Sequence, residues 1–253
     1  MPQGLLLSIM QLNMHGLEKN VRRLLEGRPL LVALDHPQYF GPMPGLINPV
    51  TTVELLATTP VKGFVLNRGL FGQLDAQKLW HKILVMRADV LGSKYSPASS
   101  SFPVMVEPQE VLILGGDAVL LMFPIGTTND TDSILRLGHA VSKFHAYAIP
   151  VIAEILPPDP SKPSSEIIST GARIAAEIGV DAVKTYYCNG FKEIVESCFI
   201  PVLLAGGPKE ENFLDIVERA MQEGAAGLIV GRNIFQAPNP IELIQQICEI
   251  IKA

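Results

Sequence analysis

Lys184 closes a short apolar run, Val180-Asp181-Ala182-Val183-Lys184-Thr185-Tyr186-Tyr187. A lysine near the end of a buried strand is out of place as a solubilising charge. An amine held among apolar groups loses hydration, so its charged form is disfavoured and its pKa falls. Lowering a lysine from about 10.4 towards 7 costs roughly 4 kcal/mol. Folds that carry that cost usually gain a nucleophilic amine, the kind that forms Schiff bases with carbonyl substrates. The bland alternative is a lysine whose stem is buried and whose head snorkels to solvent.

Other polar residues stand at the ends of apolar runs. Asp35-His36 follows Pro29 to Leu34, and Asn67-Arg68 follows Val61 to Leu66. Arg87 ends Ile83 to Met86, and Glu154 interrupts Pro150 to Leu156. Asp35 is a candidate general acid/base; it could equally pair with Lys184 or cap the loop that follows. Successive strand side chains alternate between faces. If Lys184 points inward, so do Ala182 and Tyr186, and Glu154 shares a face with Ile152 and Leu156. A carboxylate on an inward face needs a charge partner or a chemical role. Two glycine-bearing ends come last, Gly206-Gly207-Pro208-Lys209 and Gly231-Arg232-Asn233. At successive strand ends such turns suit a phosphate, because glycine lets backbone N–H groups approach the anion. Singly, each would be an ordinary turn.

The elements that must position these groups are legible as an alternation. Buried strands are expected at Pro29–Asp35, Val61–Asn67, Ile83–Ala88, Ala118–Ile125, Pro150–Leu156, Ala182–Tyr186, Pro201–Ala205 and Gly227–Gly231. They are rich in Val, Ile and Leu and apolar on both faces, as parallel strands are. Between them, Thr131–Ala148, Ser165–Ile178 and Asn212–Glu223 place apolar residues at helical spacing, and Glu242–Ile251 closes the chain. Asp132 and Ser164 are expected as N-caps. Eight strands with intervening helices predict a (β/α)8 TIM barrel with a short N-terminal helical arm around Leu17–Leu25. An open doubly wound sheet would call for a Gly-x-Gly-x-x-Gly after the first strand, and there is none. Residues 89–103 predict a long loop on the active-site face, or else a disordered surface excursion.

The chain has 253 residues, which suits one barrel domain over 1–253. It is 48% hydrophobic and 18% charged, which excludes a disordered chain. A net charge of −5 offers no general attraction to nucleic acid. Cys188, Cys198 and Cys248 form no CxxC and no metal-ligand spacing. With no signal peptide and no apolar run of membrane-spanning length, a cytoplasmic protein without a membrane partner is expected. No metal site, no cofactor and no GxSxG are read.

Several segments together resemble the DhnA-like class I aldolases. They are Asp35-His36 with Tyr39-Phe40-Gly41-Pro42, Ala172 to Gly179, Val183-Lys184-Thr185-Tyr186-Tyr187, Ala205-Gly206-Gly207 and Gly231-Arg232-Asn233-Ile234-Phe235-Gln236. That (β/α)8 family includes archaeal-type fructose-bisphosphate aldolase, amino-dideoxy-heptulosonate synthase and the thiolase of phosphorylated autoinducer-2. The resemblance implies that Lys184 is the Schiff-base lysine and Asp35 the acid/base. It places Gly206, Gly207, Gly231 and Arg232 at the phosphate, and implies homo-oligomers up to decamers. Two positions depart from the family pattern. Pro37 stands where Asp-His-Gly is usual. Leu156, followed by Pro157-Pro158-Asp159, stands where aldolase members place a proton-donating Tyr before Pro-Arg-Gly. The thiolase-type relative also lacks that Tyr. Glu154 is the candidate replacement. The resulting expectation is a Schiff-base lyase acting on a small phosphorylated ketone or sugar. The alternatives are a coenzyme A-dependent thiolase acting on a phosphorylated diketone and a non-catalytic phosphosugar-binding barrel.

Overall fold

The computed structural model describes residues 15–96, 102–160, 162–209 and 212–252. Eight parallel strands close into one barrel in sequence order. They are β1 (Leu30–Ala33), β2 (Gly63–Asn67), β3 (Ile83–Arg87), β4 (Ala118–Pro124), β5 (Val151–Leu156), β6 (Ala182–Tyr186), β7 (Val202–Ala205) and β8 (Leu228–Val230). The barrel and all eight expected strands are present, most of them trimmed by a residue or two where the chain turns into a loop.

The inward and outward faces separate as strand alternation requires. Leu31, Ala33, Val65, Ile83, Val85, Leu120, Ile152, Ala182, Leu203 and Ile229 fill the barrel interior. Their neighbours, among them Val32, Phe64, Phe123, Ala153, Val183 and Leu204, pack outward against the helices. Burying both faces removes each strand from water and explains why the strands read as continuous apolar runs.

The expected helices lie at Asp130–His145, Ser165–Ile178, Phe213–Gln222 and Pro240–Lys252. Ser164 caps the second of these, its Oγ accepting from the Ile167 N–H at 3.4 Å. Asp132 is not an N-cap. The helix starts at Asp130, so Asp132 falls within its first turn. Asp130 instead holds the preceding loop, accepting from the N–H groups of Gly126 (2.9 Å) and Thr127 (2.8 Å).

Residues 15–25 form the N-terminal helix. It closes the N-terminal end of the barrel, where Leu24 joins the interior cluster. Asn20 donates to the Ala148 carbonyl at 2.7 Å, and Arg23 pairs with Asp117 at 2.7 Å.

Of the long loop after β3, residues 97–101 lie outside the described region. Its two ends are zipped together. Val90 N–H donates to the Pro103 carbonyl and Met105 N–H to the Ala88 carbonyl, each at 2.9 Å. Gln38 ties the incoming arm down, donating to the Asp89 carbonyl and accepting from the Leu91 N–H at 2.8 Å. Among the described residues no helix is long and apolar enough to cross a membrane.

Candidate active site

Each chemistry-bearing side chain extends one of the inward-facing series by two residues. Leu31 and Ala33 lead to Asp35, Ile83 and Val85 to Arg87, Ile152 to Glu154, and Ala182 to Lys184. These residues therefore cap the barrel interior at the C-terminal ends of the strands, where barrel active sites are built. A cavity of about 640 Å³ opens there. Asp35, Arg87, Glu154, Lys184, Tyr186 and Arg232 line its polar side.

The charged groups form one buried ladder. Lys184 Nζ lies 2.6 Å from Glu154 Oε1. The other oxygen of Glu154 accepts from Arg87 Nη2 at 2.6 Å. Arg87 Nε donates to Asp35 Oδ2 at 2.7 Å, and Nη1 lies 3.5 Å from Asp89. Arg87, Asp35, Asp89, Glu154 and Lys184 are all buried. The register accounts for the central contact, because Glu154 and Lys184 are directly paired on adjacent strands.

Lys184 thus has a different setting from the one its sequence suggests. Its amine is not held among apolar groups; a carboxylate sits against it. Asp35 is not its direct partner, since Asp35 pairs with Arg87. Glu154, expected to need a charge partner or a role, has two charge partners.

Burial raises the carboxyl pKa of Asp35, but Arg87, His36 and Lys184 outweigh it and hold the group well below the usual carboxylate range. Glu154 behaves similarly: burial raises it, and Lys184 and Arg87 bring it below its ordinary value. Burial opposes the charge on Arg87, yet Asp35, Glu154 and Asp89 raise its pKa further. For Asp89 burial prevails over Arg87 and Arg136 and pushes the carboxyl up to about 6. Burial, reinforced by Glu154, raises Tyr186, which therefore remains a neutral phenol.

Arg87 was visible in the sequence only as a polar strand end, and Asp89 and Arg136 were not singled out. The alternation that flags Lys184 applies equally to Arg87, two residues beyond Val85 on the same inward face. Arg136 comes from the helix Asp130–His145, lies 3.6 Å from Asp89 and donates to the Met122 carbonyl. Nothing in local sequence joins those segments.

The glycines at the β7 and β8 ends play different parts. Gly207 has φ +65°, the left-handed region, with its open side towards Tyr186. Gly206 and Gly231 are required by packing. A Cβ on Gly206 would lie 2.8 Å from Val230 Cγ1. One on Gly231 would collide with the His36 ring and lie 2.9 Å from the Ala33 carbonyl. Arg232 reaches back to the Gly207 carbonyl at 3.1 Å, while its buried Nε has no hydrogen-bond partner. Asn233 staples the two ends together, donating to the carbonyls of Gly206 (2.6 Å) and Pro208 (2.9 Å). Leu156 lines the cavity beyond Glu154. Among the described residues no cluster of His, Cys, Asp and Glu could hold a metal ion.

Residues 30–237 match the family model described as DeoC/LacD family aldolase. The chain belongs to that family. As a DeoC/LacD family aldolase it is an enzyme of the aldolase type, and its barrel is that of the Schiff-base aldolases. An archaeal fructose-1,6-bisphosphate aldolase, with its catalytic Lys covalently bound to a carbinolamine intermediate, superposes with a TM-score of 0.84. The two share 24% identity, covering 94% of this chain and 100% of that one. Among curated relatives, an uncharacterized aldolase of Saccharolobus solfataricus is 31% identical, covering 94% of this family member and 95% of the relative. A 3-hydroxy-5-phosphonooxypentane-2,4-dione thiolase of Enterobacter sp. is 29% identical, covering 93% and 81%.

Proposed function

We propose that this aldolase-family chain makes or breaks a C–C bond in a small phosphorylated ketone or sugar through a Schiff base on Lys184. The observation that carries the reading is the contact between Lys184 and Glu154, a buried amine against a buried carboxylate, both facing one cavity. Attack needs the free amine, and Glu154 is the group in contact to take its proton. The amine adds to the carbonyl carbon, and loss of water gives an iminium. In the cleavage direction a base removes the proton from the hydroxyl on the leaving carbon. The C–C bond then breaks, and its electron pair enters the iminium to form an enamine. Protonation of the enamine and addition of water release the ketone and restore the lysine.

Asp35 and Glu154 share Arg87, so a proton moving on one alters the field at the other. Leu156 carries no proton. Glu154, two residues before it on the same face, is the candidate to act in its stead, and Tyr186 lines the same cavity as a second proton source. Arg232, with the backbone of Gly206, Gly207 and Gly231, holds the phosphate and fixes the carbonyl against the amine, a positioning effect. A homo-oligomer in the cytoplasm, with its three cysteines free, completes the reading.

A coenzyme A-dependent thiolase acting on a phosphorylated diketone is the second reading. Leu156 in place of a tyrosine favours it, as does the thiolase among the relatives. It requires coenzyme A for turnover. The deciding experiment is borohydride trapping with dihydroxyacetone phosphate, fructose bisphosphate and other phosphorylated ketones, read by intact mass and peptide mapping. An adduct on Lys184 is expected. Ligand binding without any adduct would instead indicate a phosphosugar-binding barrel.

A further inference from the structure

Around the barrel, β6 with Lys184 lies between two unlike walls. On the β7–β8 side stand Gly207 and Arg232. On the β5–β4 side and in the loop after β3, beyond Glu154, the cavity is lined mainly by Leu156, Pro158, Met122, Pro124, Phe102 and Leu91, with Thr127 as the polar side chain there. Among the described residues, three cationic side chains other than histidine line the cavity: Arg87, Lys184 and Arg232. The first is paired with Asp35, Glu154 and Asp89, and the second with Glu154. Among the described residues Arg232 has no carboxylate partner; it donates to the Gly207 carbonyl, and its buried Nε has no hydrogen-bond partner.

One uncompensated cation suits one phosphate. On the opposite wall a second phosphate would lose hydration with no cation to replace it, which is costly for a dianion. Lys94 stacks over the Tyr95 ring at 5.1 Å, and neither it nor Lys162 lines the cavity.

We infer that the substrate carries a single phosphate and, on the other side of its reacting carbonyl, an uncharged and largely apolar arm. This rests on the Schiff-base reading for the position of the carbonyl. The phosphate sits at Arg232 and the carbonyl at Lys184. The arm lies along Leu156, Met122 and Phe102, where each buried methylene adds favourable transfer energy. A bisphosphorylated sugar is disfavoured. Leu156 is then a specificity residue, because it puts a hydrocarbon wall where a hydroxyl would otherwise meet the arm.

The test is calorimetric titration of the full chain with three probes: inorganic phosphate, n-hexyl phosphate and hexane-1,6-diyl bisphosphate. Hexyl phosphate should bind about tenfold or more tighter than either of the others, and Arg232→Ala should weaken all three. Leu156→Lys should shift the preference towards the bisphosphate. If that variant fails to fold, Pro158→Lys, at an exposed position of the same wall, replaces it. Tightest binding of the bisphosphate, no gain from the hexyl chain, or no binding of any probe overturns the inference. The Schiff-base reading is judged separately, by the adduct on Lys184. Hexyl phosphate should protect that lysine from trapping if the two share a site.

Discussion

Two buried lysines stand at opposite ends of this barrel. Lys82, just before β3, donates to the carbonyls of Thr59 and Val61, each at 2.9 Å. Lys184, within β6, meets a carboxylate and faces the cavity. Their exposures are nearly equal, 6% and 5%. Burial alone therefore does not distinguish the two amines. Lys82 joins two backbone carbonyls at the N-terminal face, where barrel residues serve stability. Burial lowers its pKa, yet it does not line the cavity that Lys184 faces. Lys184 has both a carboxylate in contact and a place on the cavity wall.

The largest expected contrast comes from removing each lysine in turn. Lys184→Ala should reduce kcat/KM by about four orders of magnitude or more, as loss of a nucleophile does, while phosphate binding persists. Lys82→Met should leave kcat nearly unchanged but cost about 1–3 kcal/mol of stability, because two carbonyls lose their donor. Steady-state kinetics and denaturant titration of both variants would check this. A fully active Lys184→Ala would end the Schiff-base mechanism.

A smaller effect is expected at the two ionisable groups beside Lys184, Glu154 and Tyr186. Glu154→Gln should lower kcat by roughly 10²–10⁴-fold and remove a limb of the pH–rate profile. Tyr186→Phe should lower kcat by a lesser factor. An unchanged rate in Glu154→Gln would leave that carboxylate as a charge partner only.

The smallest effect lies behind the ladder, at Asp89. Its folded value, about 6, lies above the ordinary 3.8, so the folded state takes up this proton first as pH falls. Stability from Asp89 is therefore gained as pH drops from about 6 towards 4 and lost again as pH rises through that window. Asp89→Asn should remove this component, on the order of 3 kcal/mol or less, in melting curves taken across that range. Below about pH 4 the sign reverses in both proteins. Asp35 and Glu154 are held below their ordinary range, and protonating them costs stability.

The sequence by itself determined the barrel, the order of its strands and the residues that face inward. Those follow from local regularities: apolar runs of strand length, helical spacing between them, and the two-residue alternation that carries Ala182 to Lys184 and Ile152 to Glu154. What it could not determine was which inward groups meet. Arg87 lies 52 residues from Asp35 and 67 from Glu154. Lys184 was expected among apolar groups because its neighbours in sequence are apolar, but its neighbour in space is the register partner on β5. The glycines show the same division. A glycine at a strand end is visible in the sequence, but only the fold shows that Gly231 makes room for His36 while Gly207 provides a left-handed turn. Pairing across a closed sheet is set by register and closure, and these long-range contacts decide how each buried charge is compensated.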